Sequence, residues 1–562
     1  MRTAPALRPH RRLLWAAFLL AAPAAGAPSP AAHAAAPSPE LPIPAPHLIH
    51  GEAANVRLEV VATGDVNGDG AADLVMGYVA QRGARGIGQL GVALGRTDWP
   101  ESVVRTKLDR QYSLGFPDRL IDQLNDDTYE LHAVRDYDGD GIDDIAIEVN
   151  ERSQAETVAV AVRVYRGRRD FGAINVQSGR PDFEVRQGQV PRTPAQERLN
   201  AMPDLVTAGD FDGDGDRDIA VASCAAGGVR YEGEQVGAVR IYWSDAGGPS
   251  TIDLKRPPDV AIHGQPGLQL GCFGMDVADL DADGADDLVL FGSSLATFGG
   301  SHGAVIYGRP TWPRTAEVED IADLRLDHDA PDGGLRIVRL VDANGDDRPD
   351  ILAEFGTVRT VEGQCLWYTA GRPIGRRTTD SCDVRFTGLS ADDFVDLDAD
   401  GRPDLVYAAH RTQGRTDPFA WRVRFGPLTP GAHDLTGLPD DGDATITQPY
   451  GVGNPPIWSF ADVNGDGRVD LLQSTSQAPS PDGAEQAGTI TVHLGPLLDR
   501  AALPTATAAP ASPSPPATAT AATTPASTPT GAPAATEPPT ARPTTAGTAR
   551  IYLPLAKTGR PD

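Results

Sequence analysis

The residues best suited to chemistry in this sequence are aspartates at alternate positions of a nine-residue stretch, Asp279 to Asp287 (DLDADGADD). Carboxylates at positions one, three, five and nine, with the main-chain carbonyl of position seven, can surround a single point with oxygen atoms. Calcium prefers six to eight oxygen ligands at about 2.3–2.6 Å. Gly284, at position six, suits the sharp bend of such a loop because glycine readily adopts positive φ. The stretch therefore predicts a calcium-binding loop.

The same nonapeptide pattern occurs seven times, with successive starts 54 to 74 residues apart. Position twelve is never Glu, and a short apolar run such as LVL follows position nine. A helix–loop–helix calcium site needs Glu at position twelve, so the pattern predicts a loop between two strands instead. A single match would be weak, but seven in the same context are a strong signal. The predicted ligands are Asp65, Asn67, Asp69, Ala71 and Asp73; Asp136, Asp138, Asp140, Ile142 and Asp144; Asp210, Asp212, Asp214, Asp216 and Asp218; Asp279, Asp281, Asp283, Ala285 and Asp287; Asp342, Asn344, Asp346, Arg348 and Asp350; Asp396, Asp398, Asp400, Arg402 and Asp404; and Asp462, Asn464, Asp466, Arg468 and Asp470.

Composition agrees with a calcium-binding repeat array. The chain has 562 residues, and self-similarity at a long period favours one repeat fold over several unrelated domains. The formal charge is −28, and 25 of the carboxylates belong to the predicted ligand sets. Six or seven bound calcium ions would neutralise about half of that charge. The acidity therefore reflects metal sites and argues against nucleic-acid binding.

The fifth loop departs from the pattern, because Asp347 replaces the glycine of position six. Aspartate tolerates a left-handed backbone less well than glycine does. We therefore expect the fifth site to bind calcium least tightly, and Asp347→Gly to tighten it.

The two ends of the chain are predicted to lie outside the repeat array. Arginines followed by an apolar stretch and small residues predict a secretory signal peptide over residues 1–34, with a retained membrane anchor as the alternative. A lead segment, 35–54, follows. Residues 501–549 are mostly Ala, Thr, Pro and Ser and predict an extended linker, and 550–562 form a short apolar tail. The protein is expected to be secreted or associated with the cell surface.

The fourth unit carries a resemblance to a known family. Phe273-Gly274, the loop Asp279 to Asp287, the run Leu288 to Leu290 and the segment Gly303 to Gly308 resemble the FG-GAP or VCBS repeat. This repeat forms the blades of the integrin α-chain N-terminal propeller and of many bacterial secreted proteins. The resemblance implies an all-β, seven-bladed β-propeller over residues 55–500, with the loop joining the first two strands of each four-stranded antiparallel blade. Ring closure is expected from an outer strand near His47 to His50 added to the last blade.

Four cysteines in an exported chain suggest two disulfides. Three pairings are possible. Cys365 with Cys382 and Cys224 with Cys272 are favoured, and free buried thiols are the alternative.

No catalytic motif was found in the sequence, neither a nucleophile elbow, nor a zinc-protease helix, nor a phosphate-binding loop. We expect the propeller to act as a surface adhesion or recognition module with a protein or glycan partner. A carbohydrate-active enzyme, or an accessory module of one, is the alternative. Four tryptophans could form a glycan platform but more often pack in the core: Trp243, Trp367, Trp421 and Trp458. Partner contacts are expected in three long connections: Arg96 to Glu130, Arg166 to Met202 and Thr412 to Pro455.

Overall fold

The structure is a computed structural model. It describes residues 46–497 except 52–55, 83–84, 105–106, 108, 114–127, 153–156, 171–173, 176–178, 192–203, 224–235, 246–247, 265–268, 294–301, 329–332, 358–360, 409–418, 436–441, 449–456, 476–477, 479–480, 482 and 484–486. The predicted signal peptide, linker and tail lie outside the described residues and stay predictions. None of the helices in the described part is long and apolar enough to cross a membrane.

The described chain is almost entirely strands. In chain order these are β1 (His47–His50), β2 (Val56–Gly64), β3 (Asp73–Arg82), β4 (Arg85–Ala93), β5 (Ser102–Val104), β6 (Arg110–Ser113), β7 (Thr128–Arg135), β8 (Asp144–Arg152), β9 (Thr157–Tyr165), β10 (Ile174–Asn175), β11 (Phe183–Pro191), β12 (Leu205–Gly209), β13 (Asp218–Ser223), β14 (Ala238–Tyr242), β15 (Ile252–Asp253), β16 (Val260–His263), β17 (Gln269–Ala278), β18 (Asp287–Ser293), β19 (Gly303–Ile306), β20 (Thr315–Glu317), β21 (Leu324–Asp327), β22 (Gly333–Val341), β23 (Asp350–Thr357), β24 (Val361–Trp367), β25 (Gly375–Thr378), β26 (Val384–Gly388), β27 (Asp393–Val395), β28 (Asp404–Ala408), β29 (Phe419–Arg424), β30 (Gly431–Leu435), β31 (Ala444–Gln448), β32 (Ile457–Ala461), β33 (Asp470–Thr475) and β34 (Thr489–His493). One short helix, α1 (Val318–Ile321), and a 3₁₀ turn, Thr379–Ser381, accompany them.

The strands form seven sheets, which are the seven blades of a β-propeller. The first four strands of the successive blades are β2-β3-β4-β6, β7-β8-β9-β11, β12-β13-β14-β16, β17-β18-β19-β21, β22-β23-β24-β26, β27-β28-β29-β31 and β32-β33-β34-β1. Each is antiparallel to its neighbour within the blade, as in β12, β13 and β14. The predicted fold class is therefore confirmed.

The second strands are continuously apolar because both of their faces are buried. In β8, Ile145 and Ile147 pack into the core cluster shared with blade one, whereas Ala146 packs into the cluster shared with blade three. Successive side chains of a strand point to opposite faces, so one strand serves two blade interfaces. Fully burying a side chain of this size stabilises the fold by about 1.5–3 kcal/mol. This explains why runs such as IAI follow every loop.

The ring is closed by β1, which lies far from the last blade in sequence. It pairs antiparallel with β34, with His47 opposite Val492 and His50 opposite Thr489. Ile49 is 1% exposed and packs in a cluster that contains Ile490 and residues of blade one. Closure of this kind removes the free sheet edges that a row of separate blades would expose.

Six sheets contain a fifth strand that the sequence analysis did not predict. These strands are β5, β10, β15, β20, β25 and β30. Each runs parallel to the fourth strand of one blade and forms the outer edge of its sheet, although in sequence it lies between the third and fourth strands of the next blade. In blade six the described residues form four strands only. Its next blade is the seventh, whose third and fourth strands, β34 and β1, are not consecutive in the chain.

This arrangement corrects the interpretation of the three long connections. Arg96 to Glu130 contains β5 and β6, Arg166 to Met202 contains β10 and β11, and Thr412 to Pro455 contains β29, β30 and β31. Part of their length belongs to the blades themselves, because the fifth strand lengthens the path between the third and fourth strands. Only the parts outside these strands remain candidates for binding.

One predicted disulfide is confirmed. Cys365 in β24 is bonded to Cys382, which precedes β26, so the bridge joins the third and fourth strands of blade five. Cys224 lies outside the described residues, and its pairing with Cys272 stays a prediction.

Candidate metal centres

The seven predicted loops lie at one end of the ring, because each connects the first strand of a blade to the second. Main-chain hydrogen bonds link loops of neighbouring blades. The N–H at position eight donates to the carbonyl at position one of the preceding loop in three cases: Ala72 to Asp462, Asp143 to Asp65 and Asp286 to Asp210, at 2.7–2.9 Å. The row of seven loops, called the belt below, is therefore linked directly at three of its seven junctions among the described residues.

Position one organises each loop by accepting main-chain N–H groups. In the first loop, Asp65 Oδ1 accepts from Gly68 at 2.7 Å and from Asp69 at 3.1 Å, and Oδ2 accepts from Gly70 at 2.8 Å. In all seven loops the N–H of position six donates to the position-one carboxylate. The first aspartate thus fixes the turn.

Two positions in every loop have a left-handed backbone. Position six has φ between +61° and +95°, including Asp347 at +61°. Asp347 therefore follows the same path as the glycines, and the predicted weakness of site five stays a prediction. Position four has φ between +59° and +81°, and its residues are Gly68, Gly139, Gly213, Ala282, Gly345, Ala399 and Gly465. The sequence analysis missed this position, although glycine occurs there in five of the seven loops.

Position nine is the most buried of the predicted ligands, because it begins the second strand. Asp287 is fully buried; its Oδ2 accepts the Leu280 N–H and its Oδ1 accepts the Gly308 N–H, both at 2.8 Å. Equivalent pairs of bonds hold the ninth residue of the other six loops. The carboxylate therefore joins the loop to the end of the third strand.

The structure brings positions one, three and nine together. In the four loops with aspartate at all three positions, one carboxylate oxygen from each lies within 4.8 Å of the other two: Asp136, Asp138 and Asp144; Asp210, Asp212 and Asp218; Asp279, Asp281 and Asp287; and Asp396, Asp398 and Asp404. Two ligands of one calcium ion are at most about 5 Å apart, since each lies about 2.3–2.6 Å from it. The donor set and its spacing therefore fit a hard cation.

An unsatisfied oxygen atom at position three supports the same fit. Asn344 Oδ1 is buried and accepts no hydrogen bond from a described residue. A buried acceptor without a donor is costly, and a cation would satisfy it. In the first and seventh loops, by contrast, the asparagine Oδ1 accepts the position-five N–H, from Asp69 at 2.8 Å and from Asp466 at 2.9 Å.

Position five accepts a hydrogen bond within the loop, and its predicted role as a ligand stays a prediction. Its Oδ1 accepts the N–H of position seven in every loop, for example from Ala285 to Asp283 at 3.0 Å. Within the described residues, the groups of converging carboxylates do not include it. In this arrangement position five shapes the turn, so ligation through it would use the other carboxylate oxygen.

Burial and mutual repulsion raise the pKa of the ninth-position carboxyls. Desolvation is the largest cause, followed by opposing hydrogen bonds and by the neighbouring carboxylates. The pKa of Asp144 is raised to about 8, that of Asp287 to about 7 and that of Asp470 to about 6. The pKa of Asp281 is also raised, by burial first and then by Asp283. Each loop therefore favours additional positive charge, which a proton or a metal ion can supply.

Arginines from outside the loops contact two of these clusters. Arg166 Nε lies 2.9 Å from Asp138 Oδ2 in the second loop. Arg372, from blade five, lies 2.5 Å from Asp281 Oδ2 and 2.8 Å from Asp283 Oδ2 in the fourth loop. The sequence contains no spacing that would have revealed either contact.

Comparisons with known proteins agree with the fold. The model of the FG-GAP-like repeat matches residues 210–290, from the start of the third loop to the strand after the fourth. No curated protein matches the chain in sequence. Among the solved structures that match, the Tc holotoxin pore of Photorhabdus luminescens is 15% identical over 66% of this chain, with a TM-score of 0.26. This chain spans 15% of the length of that chain, and so weak a likeness carries no argument.

The fold and the repeated loops together define the class of protein. It is a seven-bladed β-propeller with acidic loops between the first two strands of its blades, and residues 210–290 match the FG-GAP-like repeat.

Proposed function

We propose that the protein is an exported, calcium-binding propeller that recognises another macromolecule, a protein or a glycan, at a cell surface. The observation that carries the calcium part is the convergence of carboxylate oxygens within 4.8 Å in four separate loops. Calcium would act as a scaffold: it would neutralise the crowded carboxylates and hold the loops at one end of the ring. Millimolar extracellular calcium suits loops of modest affinity.

The recognition part rests on the architecture. A ring of seven rigid sheets presents connecting segments at both ends, and insertions in repeat folds tend to fall on a binding face. Two kinds of connection start from the strand ends opposite the acidic loops. One joins the second strand of a blade to the third, and the other joins one blade to the next. We propose that the partner contacts this opposite end. The segments that follow the third strands lie instead at the loop end, where the Arg96 N–H donates to the Val463 carbonyl and the Arg168 N–H donates to the Val66 carbonyl.

The runner-up is a carbohydrate-active enzyme or its accessory module. The tryptophans give it little support as an aromatic platform. Trp367 is 1% exposed, Trp458 is 6% exposed, and Trp458 packs 4.7 Å from the half-buried Trp421 ring. Turnover of a polysaccharide, as opposed to binding without product, would decide for the enzyme.

Calcium binding is tested by counting ions. We expect six or seven per chain by elemental analysis after equilibration, and a clear fall in melting temperature in chelator. A ligand that binds only the folded state stabilises it by about 2.7 kcal/mol at a hundredfold excess over Kd. Two ions or fewer, or an unchanged melting curve, would show that the loops are ordinary acidic turns.

Recognition is tested by a screen against glycans and surface proteins, with calcium and with chelator. We expect the protein to bind at least one of these candidates in the presence of calcium. Shortening the opposite-end connections should weaken binding while leaving the melting temperature in calcium unchanged. Binding that survives every shortening but disappears in folded Asp279→Ala would instead indicate direct metal bridging to the partner.

A further inference from the structure

The fourth loop is contacted by a cation that belongs to another blade. Arg372 lies in the connection between β24 and β25, at the loop end of blade five. Its Nη1 is 2.5 Å from Asp281 Oδ2 and donates to Asp283 Oδ2 at 2.8 Å. One nitrogen thus lies between the carboxylates of positions three and five. The Asp281 side chain is 2% exposed there, whereas that of Arg372 is 44% exposed.

The arginine is held in this position by its own surroundings. Its guanidinium stacks on the Tyr307 ring, 4.5 Å from the ring centroid, and the Tyr307 hydroxyl donates to the Pro373 carbonyl at 2.7 Å. Its N–H donates to the Thr369 carbonyl at 3.2 Å, and its φ is +53°. Three contacts and a left-handed backbone therefore aim one side chain at the cluster.

We propose that Arg372 is an internal competitor for the cation at the fourth loop. This inference rests on the proposed calcium function. A divalent ion bound by Asp281 and Asp283 would lie within a few ångströms of the guanidinium, where like charges repel with little screening. Calcium loading therefore displaces the guanidinium and releases the turn at 370–374. Ile374, in that turn, is 73% exposed, so loading also moves an apolar side chain on the surface.

The third loop provides an internal comparison, because it has aspartate at the same four ligand positions. Burial and neighbouring carboxylates raise the pKa of Asp212, its third-position residue. Within the described part of the chain, no arginine forms an ion pair with it. The competition is therefore expected at the fourth site and not at the third.

Calorimetric calcium titration of the whole chain tests the proposal with three variants. Arg372→Gln removes the competing charge and should tighten one site about two- to fivefold. Arg376→Gln removes a charge four residues away, where Arg376 pairs with Asp327 at 2.5 Å, and should leave the affinities unchanged. In the Asp281→Ala background, Arg372→Gln should have no effect. Equal affinities in the first two variants, or weaker binding in Arg372→Gln, would overturn the proposal.

Hydrogen exchange gives a second readout that does not depend on resolving one site among seven. In the natural chain, calcium should speed exchange across 370–374 severalfold, and Arg372→Gln should exchange at the fast rate in chelator too. Slower exchange on calcium addition would mean that the arginine stays as an outer partner, which contradicts competition. Absence of calcium binding in every variant would instead refute the proposed function.

Discussion

Ala282 in the fourth loop tests how much the left-handed turns of the belt contribute to stability. It occupies position four with φ +59°, where five of the other six loops have glycine. A side chain in this region costs about 1–2 kcal/mol, because Cβ crowds the following carbonyl. Ala282→Gly should remove that strain without changing charge or any side-chain contact of the cluster.

The expected gain follows from two opposing terms. Relief of strain gives about 1–2 kcal/mol, whereas the greater freedom of glycine in the unfolded chain takes back about 0.4–1 kcal/mol. We therefore expect a net stabilisation of about 0.5–1 kcal/mol, confined to the fourth loop. The reverse change is available in the third loop: Gly213 has φ +75°, and an added Cβ would meet only Ala285 Cβ, at 3.6 Å. Gly213→Ala should therefore cost a similar amount through the backbone alone.

Hydrogen exchange of the loop amides is the appropriate assay, because the change is local and the ring is large. In the fourth loop, the Asp283 and Gly284 N–H groups both donate to Asp279. Ala282→Gly should slow their exchange about two- to fivefold in chelator and in calcium alike. Gly213→Ala should speed exchange of the third-loop amides to a similar extent.

In Ala282→Gly the third loop serves as the control, and in Gly213→Ala the fourth loop does; exchange in the control loop should stay unchanged. Unaltered or faster exchange in Ala282→Gly would refute the strain argument. So would unaltered exchange in Gly213→Ala.

Three further predictions concern the carboxyls, the disulfide and the ring. In chelator, the free energy of unfolding should fall as the pH rises from about 4 to 8, because the ninth-position carboxyls, such as Asp144 with a pKa of about 8, keep protons that the unfolded chain has lost. Urea unfolding at several pH values in chelator measures this, and stability that rises with pH would contradict it. Replacing Cys365 and Cys382 by alanine should cost about 3 kcal/mol, since the bridge closes a 17-residue separation, and an unchanged urea midpoint would contradict this. Arg135→Met should lower the free energy of unfolding in calcium by about 2 kcal/mol, because it leaves the partly buried Asp276 without its arginine partner at 2.9 Å. A further Asp276→Asn change should then cost little, and fully additive losses of stability would show that the pair does not interact.

The sequence by itself determined the repeat, the seven loops and the strands that follow them. These features are local: alternating aspartates and a glycine specify a tight turn, and an apolar run such as that after Asp144 specifies a strand buried on both faces. Seven such units, together with the resemblance to the FG-GAP repeat, predicted seven blades. The Cys365–Cys382 bridge was predictable for the same reason, because both residues lie within one unit.

Only the tertiary structure decided the features that join distant parts of the chain. The fifth strands belong to one blade in sequence and to another in space, so a reading based on repeat spacing took them for loops. The role of position five depends on which of its oxygens accepts the N–H of position seven. The contact of Arg372 with Asp281 spans two blades, and no sequence pattern records it. Such residues meet because neighbouring blades pack against each other, and the spacing of the repeats does not determine which residues of two blades come into contact.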